Sequence, residues 1–231
     1  MAKHTKPDNI IIEAIAGSKM YNLDTPDSDT DIKGIYCLPN EEFLGLKEPT
    51  LVCEHTNPDW VYYEVKKYIN LASKMNPTVS ELLWADDYQI LTPAGKMLID
   101  NRKLFLSQIA RKTYYGYALS QLRKNYRNGS NITNYRFGKH ARHIFRLFLQ
   151  GKELLETGEL RVRCTDEERK YIFSFMDMTQ DQVFEAFQKK AKEFDQIKSC
   201  LPEYPDYDKI NNLLLEIRTR NAYEHISAKF L

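Results

Sequence analysis

The sequence predicts an α+β protein in which an N-terminal mixed β-sheet with flanking helices is followed by an all-helical C-terminal part. Apolar and β-branched residues form a strand-like run at residues 10–16, and two further β-rich segments follow at 29–36 and 55–64. From about Thr92 onward, strand signals vanish and helical periodicity takes over. We therefore divide the chain into a core at residues 1–90 and a helical domain at residues 91–231 that would close a ligand cleft.

Composition places few limits on function. The 33 Lys and Arg residues nearly balance the 32 Asp and Glu residues, so a nucleic-acid partner would have to be bound by a local patch. The four cysteines are scattered without a Cys-x-x-Cys pair, which indicates incidental thiols rather than a zinc site or a disulfide. The N-terminus lacks the apolar core of a signal peptide and no apolar run approaches a membrane span, so we expect a cytoplasmic protein that does not associate with membranes.

The first strand stops at Gly17-Ser18, and a second strand-like segment begins about ten residues later. If residues 29–36 form a strand, Asp29 and Asp31 lie on the same face with Cα atoms about 6.5 Å apart. Two carboxylates so placed can share a divalent cation, and oxygen ligands favour Mg²⁺. Gly17 allows close backbone approach, and Ser18 offers a hydroxyl and a backbone N–H to a phosphate. The stretch therefore predicts a site for a triphosphate and a metal ion.

This acidic stretch has two other interpretations. Asp27, Asp29 and Asp31 begin like a calcium-binding loop, but such a loop needs Gly at its sixth position and Glu at its twelfth, where this chain has Ile32 and Leu38. Calcium binding is therefore discounted. An acidic surface loop without a ligand is the remaining alternative.

The same residues resemble the signature of the DNA polymerase β-like nucleotidyltransferase superfamily, which transfers a nucleoside monophosphate from an NTP. The branch that fits most closely is the RNA-repair-pathway polymerase-β-like family, through Gly17-Ser18, Tyr21, Asp27-Ser28-Asp29, Asp31-Ile32 and Gly34. Asn22 stands where that branch commonly has Gly after the Tyr. Because Asn tolerates left-handed backbone, we expect the turn to be kept.

The resemblance implies a third carboxylate where a strand passes into a helix after residue 55. Asp59 and Glu64 are both candidates. We favour Asp59, which opens the strand, as the residue that accepts the proton of the attacking hydroxyl or holds the metal. Glu64 falls at the first turn of the helix at residues 65–75, where an acid is stabilised by the helix dipole whatever its role in catalysis.

An Asn-Pro turn follows this helix, and Thr78 and Glu81 have the spacing of a capping box for a new one. The segment also resembles the Asn-Pro-x-x-x-Glu-x-Leu string of the family. Further helices are predicted at residues 101–126, 135–157, 166–176, 180–200 and 206–221, with Gly158 ending the second of these. Three charged residues in the last helix, Glu216, Arg218 and Arg220, are expected at the surface.

Lys139, His143 and Arg146 follow one another at helical spacing and form a stripe on one face. A solvated basic face is the simple interpretation. The resemblance favours another, because these residues match the helical half of the family in order, and it implies that they bind the triphosphate tail.

Aromatic and basic residues share this half of the chain, and such a mixture can stack bases and guide RNA. The residues concerned are Tyr114, Tyr115, Tyr117, Tyr126, Tyr135, Arg136, His140 and Arg142. Most of the tyrosines are explained more simply as core or cleft wall.

Together with these features, the resemblance implies a magnesium-dependent nucleotidyltransferase that uses two Mg²⁺ ions and transfers NMP from an NTP such as ATP to an acceptor hydroxyl. The resemblance to the RNA-repair branch makes an RNA end the leading acceptor. Asp29, Asp31 and Asp59 would hold the metals and Gly17 and Ser18 the phosphates, with the Lys139, His143 and Arg146 stripe on the leaving pyrophosphate. The alternatives are an inactive nucleotide-binding or interaction module of the same fold, and nucleotidylation of a protein or small molecule. The sequence does not predict an oligomeric state.

Overall fold

The computed structural model describes residues 5–127 and 134–229. The chain divides into two compact units. The first takes in Met1–Ser73, Thr78–Phe105 and Pro205–Leu231, and the second Lys74–Pro77 and Leu106–Tyr204. The segment that begins at Pro205 returns to the first unit, so that unit is not continuous in sequence. Within the described residues, no helix combines the length and hydropathy needed to cross a lipid bilayer.

The first unit is built on a five-stranded sheet with the order β3-β4-β2-β1-β5. Its strands are β1 (Ile10–Ala16), β2 (Asp31–Tyr36), β3 (Val52–Thr56), β4 (Asp59–Glu64) and β5 (Ile90–Leu91). β2 pairs with β4 in parallel, while β1 with β2, β1 with β5, and β3 with β4 are antiparallel. The predicted mixed sheet is confirmed.

Strand alternation divides the side chains of β2 between two faces. One face carries Asp31, Lys33 and Ile35, with Asp59 at the start of the neighbouring β4 on the same side. Gly34 lies on the opposite face, which it shares with its pairing partner Tyr62. That opposite face holds a buried cluster of Tyr36, Cys53 and Tyr62, with Ile10, Ile32, Leu38 and Trp60 packed against it.

Within the described residues, five helices lie in the first unit, together with all of a sixth helix except its first residue. The six are α1 (Gly17–Met20), α2 (Asn40–Leu44), α3 (Val65–Ala72), α4 (Pro77–Ser80, whose Pro77 belongs to the second unit), α5 (Pro93–Asp100) and α10 (Tyr207–Lys229), and short 3₁₀ helices span Glu81–Trp84 and Arg102–Phe105. α3 buries Val65, Tyr68, Ile69 and Ala72, which confirms the helical spacing read from the sequence. α5 approaches β1 closely, because a Cβ on Gly95 would lie 2.2 Å from the carbonyl oxygen of Ile11.

The second unit is helical in the part that the structure describes. Its helices are α6 (Ile109–Arg127), α7 (Asn134–Thr157), α8 (Asp166–Phe173) and α9 (Gln180–Asp195). Capping boxes at Thr165 with Glu168 and at Thr179 with Gln182 begin α8 and α9. Gly158 has φ +71° directly after α7, as predicted for the residue that follows a helix C-terminus. The all-helical C-terminal part is confirmed.

Several predicted boundaries are wrong, and for three of them the structure shows a local reason. The segment at 55–64 is a hairpin of β3 and β4 rather than one strand. The helix predicted from residue 101 begins at Ile109, and the N–H of Gln108 before it donates to the carbonyl of Pro202. α9 ends at Asp195 instead of residue 200, because the Arg111 guanidinium caps its last carbonyls at Phe194 and Asp195.

Candidate active site

The turn after β1 lies directly against one of the predicted catalytic acids. Gly17 has φ +65°, a conformation that L side chains rarely adopt. A Cβ built on Gly17 would lie 1.7 Å from Oδ2 of Asp31, so only glycine allows the turn and this carboxylate to be so close. The predicted pairing of a Gly-Ser turn with an acidic strand is therefore a direct contact in the fold.

The turn closes on itself within seven residues. Ser18 lies in the single helical turn α1, and its carbonyl accepts a hydrogen bond of 2.9 Å from the N–H of Leu23. Asn22 has φ +60°, which confirms that Asn keeps the left-handed conformation expected there. Residues 17–23 are called the signature turn below.

Asp29 and Asp31 are not two positions of one strand. β2 begins at Asp31, so Asp29 lies in the preceding loop, where it is exposed. The prediction that Asp29 and Asp31 share one face of a strand is therefore wrong, because Asp29 lies before the strand. The loop is held instead by Lys19, whose ammonium donates to the hydroxyl of Thr30 between the two acids.

Asp59 lies beside Asp31 at the same end of the parallel pair. The register runs from Ile32 with Trp60 onward, and Asp31 and Asp59 are the residues immediately before these partners. Neighbouring strands are about 4.8 Å apart, so the two acids start adjacent strands on one face of the sheet. Asp59 is exposed, and it borders a cavity of about 460 Å³ lined by Glu54, His55, Thr56, Asp59, Trp60, Val61 and Tyr63.

Glu64, the alternative third acid, is committed to the fold. It lies at the far end of β4, its carboxylate accepts a hydrogen bond of 2.8 Å from the N–H of Lys66 at the start of α3, and its side chain is fully buried. Nη2 of Arg218 in α10 lies 2.5 Å from the other carboxylate oxygen. Arg218 is only 12% exposed, so its predicted place at the surface is wrong. Both oxygens of Glu64 are thus engaged in structural contacts, which favours Asp59 as the third acid.

The donor set at this end of the sheet suits a hard cation, since Asp29, Asp31 and Asp59 offer only carboxylate oxygens. Among the described residues, however, no group of three or more His, Cys, Asp or Glu side chains is arranged to hold a metal ion. Mg²⁺ commonly keeps several waters and completes its shell with substrate phosphates, so two protein carboxylates are a sufficient start. Metal binding by these residues stays a prediction.

The predicted basic stripe lies on α7 in the second unit. Lys139 is exposed, His143 is half-buried and Arg146 has no exposed surface. Arg146 donates to Oε1 of Gln150 at 2.5 Å and to Nδ1 of His143 at 3.3 Å. Arg146 is thus enclosed by protein, and the binding of phosphate by these three residues stays a prediction.

The aromatic residues proposed for RNA differ in accessibility. Tyr114 is 1% exposed and belongs to the core, whereas Tyr115 is 38% exposed. Arg142 is buried, with its guanidinium 4.7 Å from the centre of the Phe173 ring. The side chains of Tyr126, Tyr135 and Arg136 lie outside those that the structure describes.

The environment of Glu81 differs from the one that the sequence predicts. The predicted capping box of Thr78 and Glu81 is wrong, because α4 begins at Pro77 and Glu81 opens the 3₁₀ helix after it. Glu81 is 1% exposed and accepts a hydrogen bond of 2.5 Å from the hydroxyl of Tyr21 in the signature turn. The sequence held one clue, since Glu81 directly precedes the apolar run Leu82-Leu83-Trp84.

The mixed sheet and the helical second unit have the architecture expected from the resemblance to polymerase β-like nucleotidyltransferases. The sequence matches the RNA repair pathway DNA polymerase beta family (RlaP) over residues 2–168, and the chain belongs to that family.

Two further proteins show more distant similarity. An uncharacterized 38.9 kDa protein from the nrdC-mobD intergenic region of Enterobacteria phage T4 is 26% identical over 136 residues, which is 53% of this chain and 40% of the phage protein. The chain thus spans less than half the length of that relative. A nucleotidyltransferase-like protein from Exiguobacterium sibiricum aligns in structure over 81% of this chain and 68% of its own, with 11% identity and a TM-score of 0.32. The family assignment rests on the sequence match.

Proposed function

We propose that this protein is a magnesium-dependent nucleotidyltransferase that moves a nucleoside monophosphate from an NTP to the hydroxyl of an RNA end. One observation supports this above the others: the signature turn touches Asp31 through Gly17, and Asp31 starts the strand next to Asp59. The signature turn and two acids are thus gathered at one end of the sheet.

Each residue has a distinct part in the proposed reaction. Ser18 and the N–H groups of its turn bind the phosphates of the NTP. Asp29 and Asp31 offer the carboxylates for Mg²⁺. Asp59 orients the acceptor hydroxyl and accepts its proton as the oxygen attacks the α-phosphorus, while the bond from the α-phosphorus to the bridging oxygen of the β-phosphate breaks and pyrophosphate leaves. When bound, Mg²⁺ neutralises charge on the phosphates and makes the acceptor hydroxyl more acidic.

The cavity beside Asp59 supports a terminal nucleoside as the group that enters it. Its volume of about 460 Å³ falls in the ordinary range for small-molecule sites. Glu54 and Asp59 can accept hydrogen bonds from sugar hydroxyls, and Tyr63 offers an aromatic surface. Of the residues described as lining it, none is Lys or Arg, so the cavity suits a neutral sugar and base better than a phosphate group. The family's description as an RNA repair family supports RNA as the source of that nucleoside.

The acceptor is tested with each of the four α-labelled NTPs, Mg²⁺ and matched RNA oligomers that end in a 3′-hydroxyl or a 3′-phosphate. We expect a labelled product one nucleotide longer from the hydroxyl-ended RNA alone. Label that appears only in protein or in small metabolites would refute the RNA acceptor while keeping nucleotidyl transfer.

The third acid is tested by Asp59→Asn. We expect kcat to fall at least about a hundredfold, the scale of losing one group that acts on charge in the transition state. Asp87→Asn makes the same change at an exposed loop position of the first unit and should leave kcat within about twofold. Equal rates for the two variants would contradict the role of Asp59.

A nonenzymatic nucleotide-binding module of the same fold is the second candidate. It is favoured by the position of Asp29, which is exposed in the loop before β2 and does not share the strand that carries Asp31. Saturable NTP binding without pyrophosphate release, with every NTP and with Mg²⁺ or Mn²⁺, would support this candidate over the enzyme.

A further inference from the structure

A buried carboxylate outside the proposed catalytic set is bonded to the signature turn. Glu81 is 1% exposed, and its Oε2 lies 2.5 Å from the hydroxyl of Tyr21, which is itself 8% exposed. The hydroxyl of Tyr21 donates and the carboxylate oxygen of Glu81 accepts in this short hydrogen bond. The two residues are 60 positions apart in sequence, so this bond ties the turn to a distant segment.

That segment, residues 78–84, is held on several sides and is called the anchor segment. Four of its carbonyls accept hydrogen bonds from side chains of other parts of the first unit. Lys33 donates to Thr78 at 2.6 Å, Tyr68 to Val79 at 3.1 Å, Tyr88 to Leu82 at 3.1 Å and Arg102 to Leu83 at 3.0 Å. With its backbone so fixed, the anchor segment gives the Glu81 carboxylate a defined position.

Contacts lead from Glu81 to the proposed catalytic acids by two routes. Tyr21 ends the single helical turn that starts at Gly17, and Gly17 lies against the carboxylate of Asp31. Lys33, two residues after Asp31 and on the same face of β2, donates a hydrogen bond to the Thr78 carbonyl of the anchor segment. A displacement of the signature turn would therefore change the space in which the Asp31 carboxylate sits.

Burial of a carboxylate is costly even when it is hydrogen-bonded, so an apolar residue would stabilise this place in the core at least as well. We propose that Glu81 is a positioning residue which, through the hydroxyl of Tyr21, fixes the signature turn for the NTP phosphates and for Asp31. This inference rests on the proposed function for its effect on catalysis, whereas its effect on the turn is independent of any activity.

The test compares two buried Tyr–Glu pairs. Tyr21→Phe deletes only the hydroxyl that donates a hydrogen bond to Glu81. The matched control, Tyr62→Phe, deletes a hydroxyl that lies 2.6 Å from Oε2 of buried Glu13, on the opposite face of the sheet from Asp31. Glu81→Gln keeps an acceptor oxygen for Tyr21 and serves as the conservative variant.

The first measurement is amide hydrogen exchange at Leu23 in the protein without ligand, because this N–H closes the turn on Ser18. We expect exchange about tenfold faster in Tyr21→Phe than in wild type, the factor that corresponds to losing one such buried hydrogen bond. Tyr62→Phe should leave it unchanged, although its thermal stability falls by a similar amount. Equal exchange at Leu23 in the two variants would overturn the proposal.

The second measurement is steady-state kinetics. Tyr21→Phe should raise KM for the NTP and lower kcat/KM at least about tenfold, Tyr62→Phe should change neither, and Glu81→Gln should stay within about threefold of wild type. Loss of activity to the same extent in Tyr21→Phe and Tyr62→Phe would show a merely structural role. If the wild type transfers no nucleotide, the proposed function fails by itself, and the exchange measurement still decides whether Glu81 fixes the turn.

Discussion

Replacing Arg218 by Ala should destabilise the first unit more than any neighbouring surface change. The Arg218 guanidinium pairs with the fully buried Glu64 at 2.5 Å and also lies 3.9 Å from the centre of the Phe43 ring. Without it, the one hydrogen bond that the described residues still give the Glu64 carboxylate is that from the N–H of Lys66. Breaking one partner of a buried ion pair costs about 3–5 kcal/mol, and the cation–π contact adds about 1 kcal/mol.

Urea unfolding measures this loss directly. Both tryptophans of the chain, Trp60 and Trp84, lie in the first unit, so intrinsic fluorescence reports on that unit. A destabilisation of about 5 kcal/mol with a slope of about 2 kcal/mol per molar urea moves the midpoint down by about 2.5 M. The loss would be a large part of a total stability of about 5–15 kcal/mol.

The same helix supplies a matched control. Arg220 pairs with Glu216 one turn before it, and both side chains are more than half exposed. Arg220→Ala should therefore cost at most about 0.5 kcal/mol. The double variant Glu64→Gln with Arg218→Met should recover most of the loss, because it leaves no unpaired charge in the core. Equal midpoints for Arg218→Ala and Arg220→Ala would refute the structural role of Glu64 and reopen it as a catalytic acid.

Three further predictions concern other parts of the chain. Hydrogen bonds from Arg161 are the main reason that the pKa of Glu168 is lowered. The pair therefore stabilises the folded protein at pH values above the unfolded pKa of Glu, and this stabilisation is lost as the pH falls through the lower pKa of folded Glu168. Glu168→Gln should thus lower the urea midpoint at pH 7 and make little difference near pH 3. A thiol reagent should label Cys200 alone in the native protein, since Cys200 is exposed and the other three thiols are buried; labelling of more than one thiol before unfolding would contradict the core packing. Gly17→Ala should reduce nucleotidyl transfer at least about a hundredfold, because the new Cβ displaces the Asp31 carboxylate and the left-handed backbone disfavours Ala. Circular dichroism checks that the variant folds. A rate near that of wild type would contradict the close contact between Gly17 and Asp31.

The low reactivity of the buried thiols has a physical cause that Cys37 illustrates. Burial raises its pKa to about 11, although the nearby Arg218 guanidinium acts in the opposite direction. At pH 7 to 8 this thiol is therefore in its unreactive protonated form.

The sequence predicts the parts of this fold that depend on local patterns. Alternation and apolar runs locate β1 and most of β2, helical spacing locates α3, and a lone glycine marks the end of α7 at Gly158. The signature turn was predicted as well, down to the left-handed Asn22. In each case the physical cause lies within a few residues of the chain.

Contacts between distant residues were beyond sequence patterns. Thr78 and Glu81 have the spacing of a capping box, but Glu81 is taken instead by Tyr21, and nothing local indicates that the two meet. Arg218 appears in a charged stretch of the last helix, and its burial depends on Glu64, which is 154 positions earlier. Tertiary contacts override local propensity at these positions.

The predicted placement of Asp29 on the strand of Asp31 is wrong for a related reason. β2 starts at Asp31, and the loop before it is organised by Lys19 and Thr30 rather than by strand pairing. The parallel register of β2 and β4 could not be read from the sequence either, yet it is what sets Asp31 beside Asp59.

Pyrophosphate release shows whether Asp31 at the signature turn supports nucleotidyl transfer. Wild type, Asp31→Asn and the exposed control Asp87→Asn are each incubated with NTP, Mg²⁺ and hydroxyl-ended RNA. We predict release by wild type and Asp87→Asn at rates within about twofold of each other, and at least about a hundredfold less by Asp31→Asn with its folding intact. Release by Asp31→Asn at the wild-type rate, or none from wild type with any NTP, would contradict the account.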